Sequence, residues 1–148
     1  MDADRYAYSC VHQTEVIMRR LVYLFLVIII IGVASCGGNL TPEEMASLAA
    51  KGYYEHLAAG EYDAYLQGVA GCDSAPEDYV AQLRLGAQRY VQRCHQLHHG
   101  ISEVRVSSVK PDSTLSCTQV FLLLLFADST REEICVPMVE QNGKWRMR

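Results

Sequence analysis

The sequence predicts an α+β domain, with three N-terminal helices packed on a four-stranded antiparallel meander. Two observations carry this. Apolar residues recur at three- and four-residue spacing up to Gly100 and at alternate positions beyond it. Turn pairs at Pro111-Asp112, Asp128-Ser129 and Asn142-Gly143 then divide the second half into segments of strand length.

The first helix is expected to start at Thr41-Pro42-Glu43-Glu44, where Thr41 can cap free N–H groups and Glu44 can complete a capping box. It runs to about Ala59, with Ala46, Ala49, Tyr53 and Leu57 on one side, and Gly60 ends it. A short second helix fits Tyr62 to Val69. Ser74-Ala75-Pro76-Glu77 reads as a second capping box, opening the longest helix, which reaches about His99. Its expected buried stripe is Tyr79, Leu83, Gly86, Tyr90, Cys94 and Leu97.

Ile101–Val109 alternates, with Val104 and Val106 against Glu103, Arg105 and Ser107, so one face is wet. Leu115–Ala127 holds Val120–Phe126, apolar at every position, the pattern of a central strand covered on both sides. Arg131–Glu140 is the third strand, where Pro137 predicts a bulge or a locally unpaired edge. Asn142-Gly143 is the strongest hairpin signal, and Lys144–Arg148 closes the sheet.

Thirteen basic residues against seventeen acidic ones leave a net charge of −4, and no basic patch stands out. A nucleic-acid partner is not expected. There is no internal repeat and no low-complexity tract, and the length after the leader suits one domain.

That leader is Met18 to Cys36. Arg19 and Arg20 precede an unbroken apolar run, Leu21 to Val33, which is the length of a secretory h-region and short of the ~20 residues a bilayer span needs. Val33-Ala34-Ser35-Cys36 resembles the lipobox of bacterial lipoprotein precursors. The resemblance implies that Cys36 takes a diacylglyceryl group on its thiol and becomes the first residue of the mature protein. An ordinary secretory signal cut near Ala34 is the alternative. Residues 1–17, with Asp2, Asp4 and Glu15, fit an extension ahead of a start at Met18, or else an unusually long n-region. The expected organisation is therefore 1–17 extension, 18–35 signal peptide, 36–40 lipidated tether and 41–148 folded domain. The tether is so short, reaching about 14 Å, that the domain must lie close to the membrane. Gly37 stands where some lipoproteins carry the Asp that retains them in the inner membrane. The expected location is the cell envelope, on the outer membrane facing the periplasm.

The tail Val136-Pro137-Met138-Val139-Glu140-Gln141-Asn142-Gly143-Lys144-Trp145-Arg146-Met147 and the junction Tyr53-Tyr54-Glu55-His56-Leu57-Ala58-Ala59-Gly60-Glu61-Tyr62 resemble the nuclear transport factor 2-like superfamily. More narrowly, they resemble small bacterial lipoproteins carrying a domain of unknown function within it. The resemblance covers roughly residues 41–148. It implies a strongly curved sheet wrapped around three helices, a cone with a cleft, and a homodimer through the open face of the sheet in many members. Enzymes of the superfamily, such as ketosteroid isomerases and polyketide cyclases, place an Asp base and a Tyr or Asp donor inside the cone. Here Tyr53, His56, Tyr65, Tyr79, Tyr90 and Trp145 could line such a cleft. The strands offer no inward acid, however, and Glu140, which could share a face with Trp145, abuts a turn. An aromatic core with hydroxyls reaching the surface or backbone explains the same residues. No catalytic residue is assigned.

Cys94, His95, His98 and His99 crowd the end of the long helix, and helical His pairs can chelate metals. On the helical projection Cys94 faces inward while His95 and His99 point well away from it, and a helix C-terminus favours imidazolium without any metal. Neither a metal nor a cofactor is expected. Cys72, Cys94, Cys117 and Cys135 would lie in an oxidising compartment. Cys72 and Cys94 sit at opposite ends of one helix. In a hairpin centred on Asp128-Ser129, Cys135 lies opposite Leu122, roughly 17 Å along the strand from Cys117. Both exclusions remove the same one of three pairings. Because the long helix hands over to Ile101 at its C-terminal end, Cys94 should lie nearer Cys135 and Cys72 nearer Cys117. Cys72–Cys117 with Cys94–Cys135 is therefore the expectation, and four small buried thiols are the alternative. The expected function is a non-catalytic, lipid-anchored binding or accessory domain with an unknown protein or small-molecule partner. A small-molecule isomerase or cyclase, and a structural oligomerisation subunit, are the alternatives.

Overall fold

The computed structural model describes residues 40–148. The expectations for the leader, Cys36 and most of the tether lie outside the described residues.

Helix α1, Pro42–Ala58, starts at the predicted box: Glu44 N–H donates to the Thr41 hydroxyl (3.2 Å) and Thr41 N–H donates to the Glu44 carboxylate (2.7 Å). Two orphan donors are thereby satisfied. Its buried residues are Ala46, Ala50 and Leu57, and the two alanines let the helix approach the sheet closely. Helix α2, Tyr62–Gln67, follows one turn later, after Gly60 has turned the chain at φ 77°. Residues Gly68 to Ala70 then run beside the last strand. Met147 N–H donates to Gly68 O and Ala70 N–H to Met147 O, both at 2.7 Å, which shields that sheet edge.

Ser74 does not cap the long helix. It belongs to a 3₁₀ turn, Cys72–Ser74, and its hydroxyl donates to Gly71 O, while Pro76, extended at ψ 145°, is the residue before helix α3, Glu77–His98. The cause is local: the hydroxyl is already spent inside the turn. The buried stripe of α3 is also narrower than expected. Ala87, Val91 and Cys94 are buried, but Tyr79 is 51% exposed and Leu97 64% exposed. The residues buried on its inner side begin only at Ala87.

The strands β1 (Ile101–Asp112), β2 (Cys117–Phe126), β3 (Arg131–Gln141) and β4 (Lys144–Met147) pair antiparallel in chain order, the expected meander. Pro111 lies within β1, opposite Thr118, rather than in the turn. β1 is an edge strand and tolerates the missing donor. Register shifts between Ile101 and Glu103 and between Val106 and Ser108 are bulges that bend this strand. Pro137 makes no bulge against β2. It stands just beyond the β3–β4 ladder, which ends at Met138 opposite Met147.

In β2 the even positions face the helices: Val120, Leu122 and Leu124 are fully buried, with Phe126, Val136, Met138 and Met147 around them. The odd positions, Phe121, Leu123 and Leu125, are half-buried on the other face. There the chain's own polar residues lie over them. The Lys110 ammonium sits 5.3 Å from the Phe121 ring centroid, Arg105 holds Glu103 through two 2.6 Å hydrogen bonds, and Ser107 of β1 donates to Glu133 of β3 (2.6 Å). The inner side is covered by the helices, whereas the outer side is covered only in part, with Lys110 over Phe121.

Candidate ligand cleft

Between the three helices and the β3–β4 half of the sheet lies a cleft of about 560 Å³, within the range of small-molecule sites. All three helices and the β3–β4 half of the sheet contribute to it, the third helix most. They include Tyr54 and Leu57 from α1, Tyr65 and Leu66 from α2, Leu83, Gly86, Ala87 and Tyr90 from α3, and Val136 and Met147 from the sheet. Gly86 leaves open space where a side chain would project.

Three phenols dominate the wall. Tyr54 and Tyr65 pack edge to face, ring centroids 5.8 Å apart and planes at 86°. Burial is the main cause that pushes the Tyr54 and Tyr90 hydroxyls above their ordinary pKa, and burial raises Tyr65 as well. At neutral pH all three are uncharged, so they can donate or accept a hydrogen bond but are not phenolate bases. Cys94, beneath Tyr90, is likewise held as a thiol by burial, although its hydrogen bond with Tyr90 opposes that. It is not a thiolate nucleophile.

One acid escaped the sequence analysis. Cys135 pairs with Phe121, not Leu122, because the β2–β3 hairpin turns about Asp128 with Ser129 in the left-handed region (φ 70°). A one-residue slip exchanges the two faces of a strand. The true register sets Glu132 opposite the fully buried Leu124, on the inward row. Its negative charge bears on Tyr54, Tyr90 and Cys94. Glu132 is exposed and is not among the residues that line the cleft. The signal that could have located it was the alternation of β2 carried across a correctly placed turn.

The predicted lining residues divide. Tyr65 and Tyr90 are in the cleft. Tyr53 and Trp145 meet elsewhere, the Tyr53 hydroxyl donating to Trp145 O (3.1 Å), and the Trp145 indole N–H is buried without a partner. Trp145 does share its row with Glu140, as its cross-strand partner. His56 is on the surface, where its Nδ1 meets Glu61 at 2.5 Å, and Tyr79 points to solvent. Both were misassigned for one reason: a helical projection locates a face but not the length over which a neighbour covers it.

Cys72, Cys94, Cys117 and Cys135 are all free thiols, so neither expected bridge is formed. Cys94 packs in the core beneath the helices, whereas Cys135 sits on the opposite row of β3 and is exposed. The expected Cys94–Cys135 bridge would have to cross the sheet. At the end of α3, His98 Nδ1 meets Asp128 (2.9 Å) and Thr130 (3.0 Å), and its ring lies 4.7 Å from that of Phe126. Among the described residues no group of three His, Cys, Asp or Glu side chains converges on a metal position, and no helix is long and apolar enough to cross a membrane.

Fold and cleft together define a small α+β domain, three helices on one face of a four-stranded antiparallel sheet, with a tyrosine-walled apolar cleft between the layers. No family model matches the chain, and no curated protein matches it. Among solved structures it is similar to a protein from Campylobacter jejuni described as an NTF2-like transpeptidase. The two are 13% identical with a TM-score of 0.49, over 66% of this chain and 92% of that one. A likeness that distant leaves the description of this chain to its own residues.

Proposed function

We propose that this protein is a lipid-anchored lipoprotein of the bacterial cell envelope whose domain, a nuclear transport factor 2-like cone, binds a small apolar ligand without transforming it. The observation that carries the binding function is the cleft wall. It combines aliphatic surface with three uncharged phenols, a composition suited to enclosing a hydrophobic body and orienting it by hydrogen bonds. Neither the phenols nor the Cys94 thiol is ionised for nucleophilic or base chemistry at neutral pH. The anchor rests on the sequence around Cys36, with its basic flank, apolar run and small residues, and so does the location on the outer membrane facing the periplasm.

Glu132 supports a second function, an isomerase or cyclase. A carboxylate on the inward row near Tyr90 and Tyr54 is the pair that proton abstraction beside a polarised carbonyl requires. Its exposure argues against this, since a base of that kind is usually tuned upward by burial.

Filling the cleft separates these functions from a merely structural role. Gly86→Trp places an indole in open space, so the fold is expected to survive while binding of a fluorescent apolar probe is lost. Wild-type protein purified from membranes is expected to carry a small apolar molecule in native mass spectrometry, and the variant to lack it. If the two proteins bind the probe equally and neither carries a ligand, the binding function is wrong. Turnover that vanishes in Glu132→Gln while probe binding persists would replace it with the enzyme.

A further inference from the structure

The outward side of the first turns of α1, and Leu40 ahead of them, expose apolar side chains. Leu40 is 52% exposed, Met45 39% and Leu48 55%. On a helix Met45 and Leu48 are one turn apart on the same side, and Gly52 continues that side with no bulk of its own. The opposite side of the helix, through Ala46, Ala50 and Leu57, is already buried, so the strip cannot turn inward without undoing the core. The charges beside it are engaged locally: Glu44 closes the capping box at Thr41, and Lys51 pairs with Glu55 at 3.3 Å.

We infer that this strip docks on the lipid surface, seating the domain on the bilayer through the first turns of α1. The inference rests on the anchoring of Cys36 proposed above. Leu40 follows Cys36 by only four residues, a reach of about 14 Å, so the strip can never be far from the headgroups. A few apolar side chains bind a bilayer too weakly to hold a free protein. A short tether, however, turns their insertion into an intramolecular step at high effective concentration. The two chains of a diacylglyceryl group already hold the protein on the bilayer, so the strip decides how the domain sits there and not whether it attaches. A second copy of the chain as occupant has no such restraint to favour it. The tether brings lipid to this strip whether or not another molecule is present.

The test uses the full-length chain with Trp145→Phe, carrying one new tryptophan at Leu48→Trp or, as a control on the outward face of the sheet, at Arg131→Trp. Each protein is isolated with its membrane anchor, its N-terminal peptide is weighed, and it is placed in phosphatidylcholine vesicles with and without brominated acyl chains. Emission from the tryptophan at position 48 is expected to shift to the blue and to be quenched by the bromolipid, while that at 131 does neither. An acylated Cys36 with an unquenched, red-emitting tryptophan at 48 overturns the docking and leaves the anchor standing. Equal quenching at both positions also overturns it, because the contact would then not be this face. An unmodified Cys36 removes the anchor and the docking together.

Discussion

Gly68 and Gly86 are both glycines in or beside helices, yet their surroundings demand opposite things. A Cβ on Gly68 would enter the Tyr53 ring, which is itself pinned by its bond to Trp145 O, whereas a Cβ on Gly86 meets nothing within 4 Å. Gly68→Ala is expected to destabilise the domain by about 1–3 kcal/mol through forced repacking. Gly86→Ala should stabilise it by about 0.5–1 kcal/mol through helix propensity. Urea unfolding of the two variants measures the difference, and equal midpoints would contradict the packing described. Asp128 is a carboxylate held well below its ordinary pKa. The Thr130 hydroxyl (2.5 Å) and the Thr130 N–H (2.9 Å) both donate to its carboxylate, His98 adds a smaller share, and the pKa falls to about 2. A depressed folded-state pKa means that this contribution is complete above the ordinary carboxylate pKa and is lost as pH falls through the folded value. Between about pH 4 and pH 2 the wild type should therefore lose stability more steeply than Asp128→Asn, as a pH series of thermal melts would record.

At the scale of elements, β2 is the strand on which both layers depend. Leu124 is fully buried under the helices, while Leu123, its neighbour, is half-covered by polar side chains on the other face. Leu124→Ala should cost about 2–5 kcal/mol, since a closed site leaves a cavity. Leu123→Ala should cost no more than about 1–2 kcal/mol, since less apolar area is lost and the site can relax. Comparable losses from denaturant midpoints would mean the two faces are equally enclosed. The helix starts illustrate how far local chemistry can be trusted. Thr41 caps α1 as its motif predicts, because nothing competes for its hydroxyl. Ser74 carries a similar motif and fails, because the glycine three residues before it offers a carbonyl within a tight turn.

For the molecule as a whole, the order of helices and strands, their types and the meander were legible in the residues from Thr41 onward, because each rests on spacing and turn chemistry within a few positions. The strand-to-strand register was not. One left-handed residue, Ser129, moved the β2–β3 pairing by a single step and turned Glu132 to the inward row, beyond what alternation alone could locate. Coverage was not legible either. On the outer face of β2, the Lys110 ammonium stands 5.3 Å from the Phe121 ring, a contact no local pattern announces. The sequence by itself determined the elements, the capped start of α1 and the apolar inner row of β2. Only the tertiary structure decided which phenols share a cleft, which acid joins the inward row and which thiols stand on different rows. The reason is physical: local periodicity is written by near neighbours, whereas register and cover depend on turn geometry and on residues that meet only after the chain has folded.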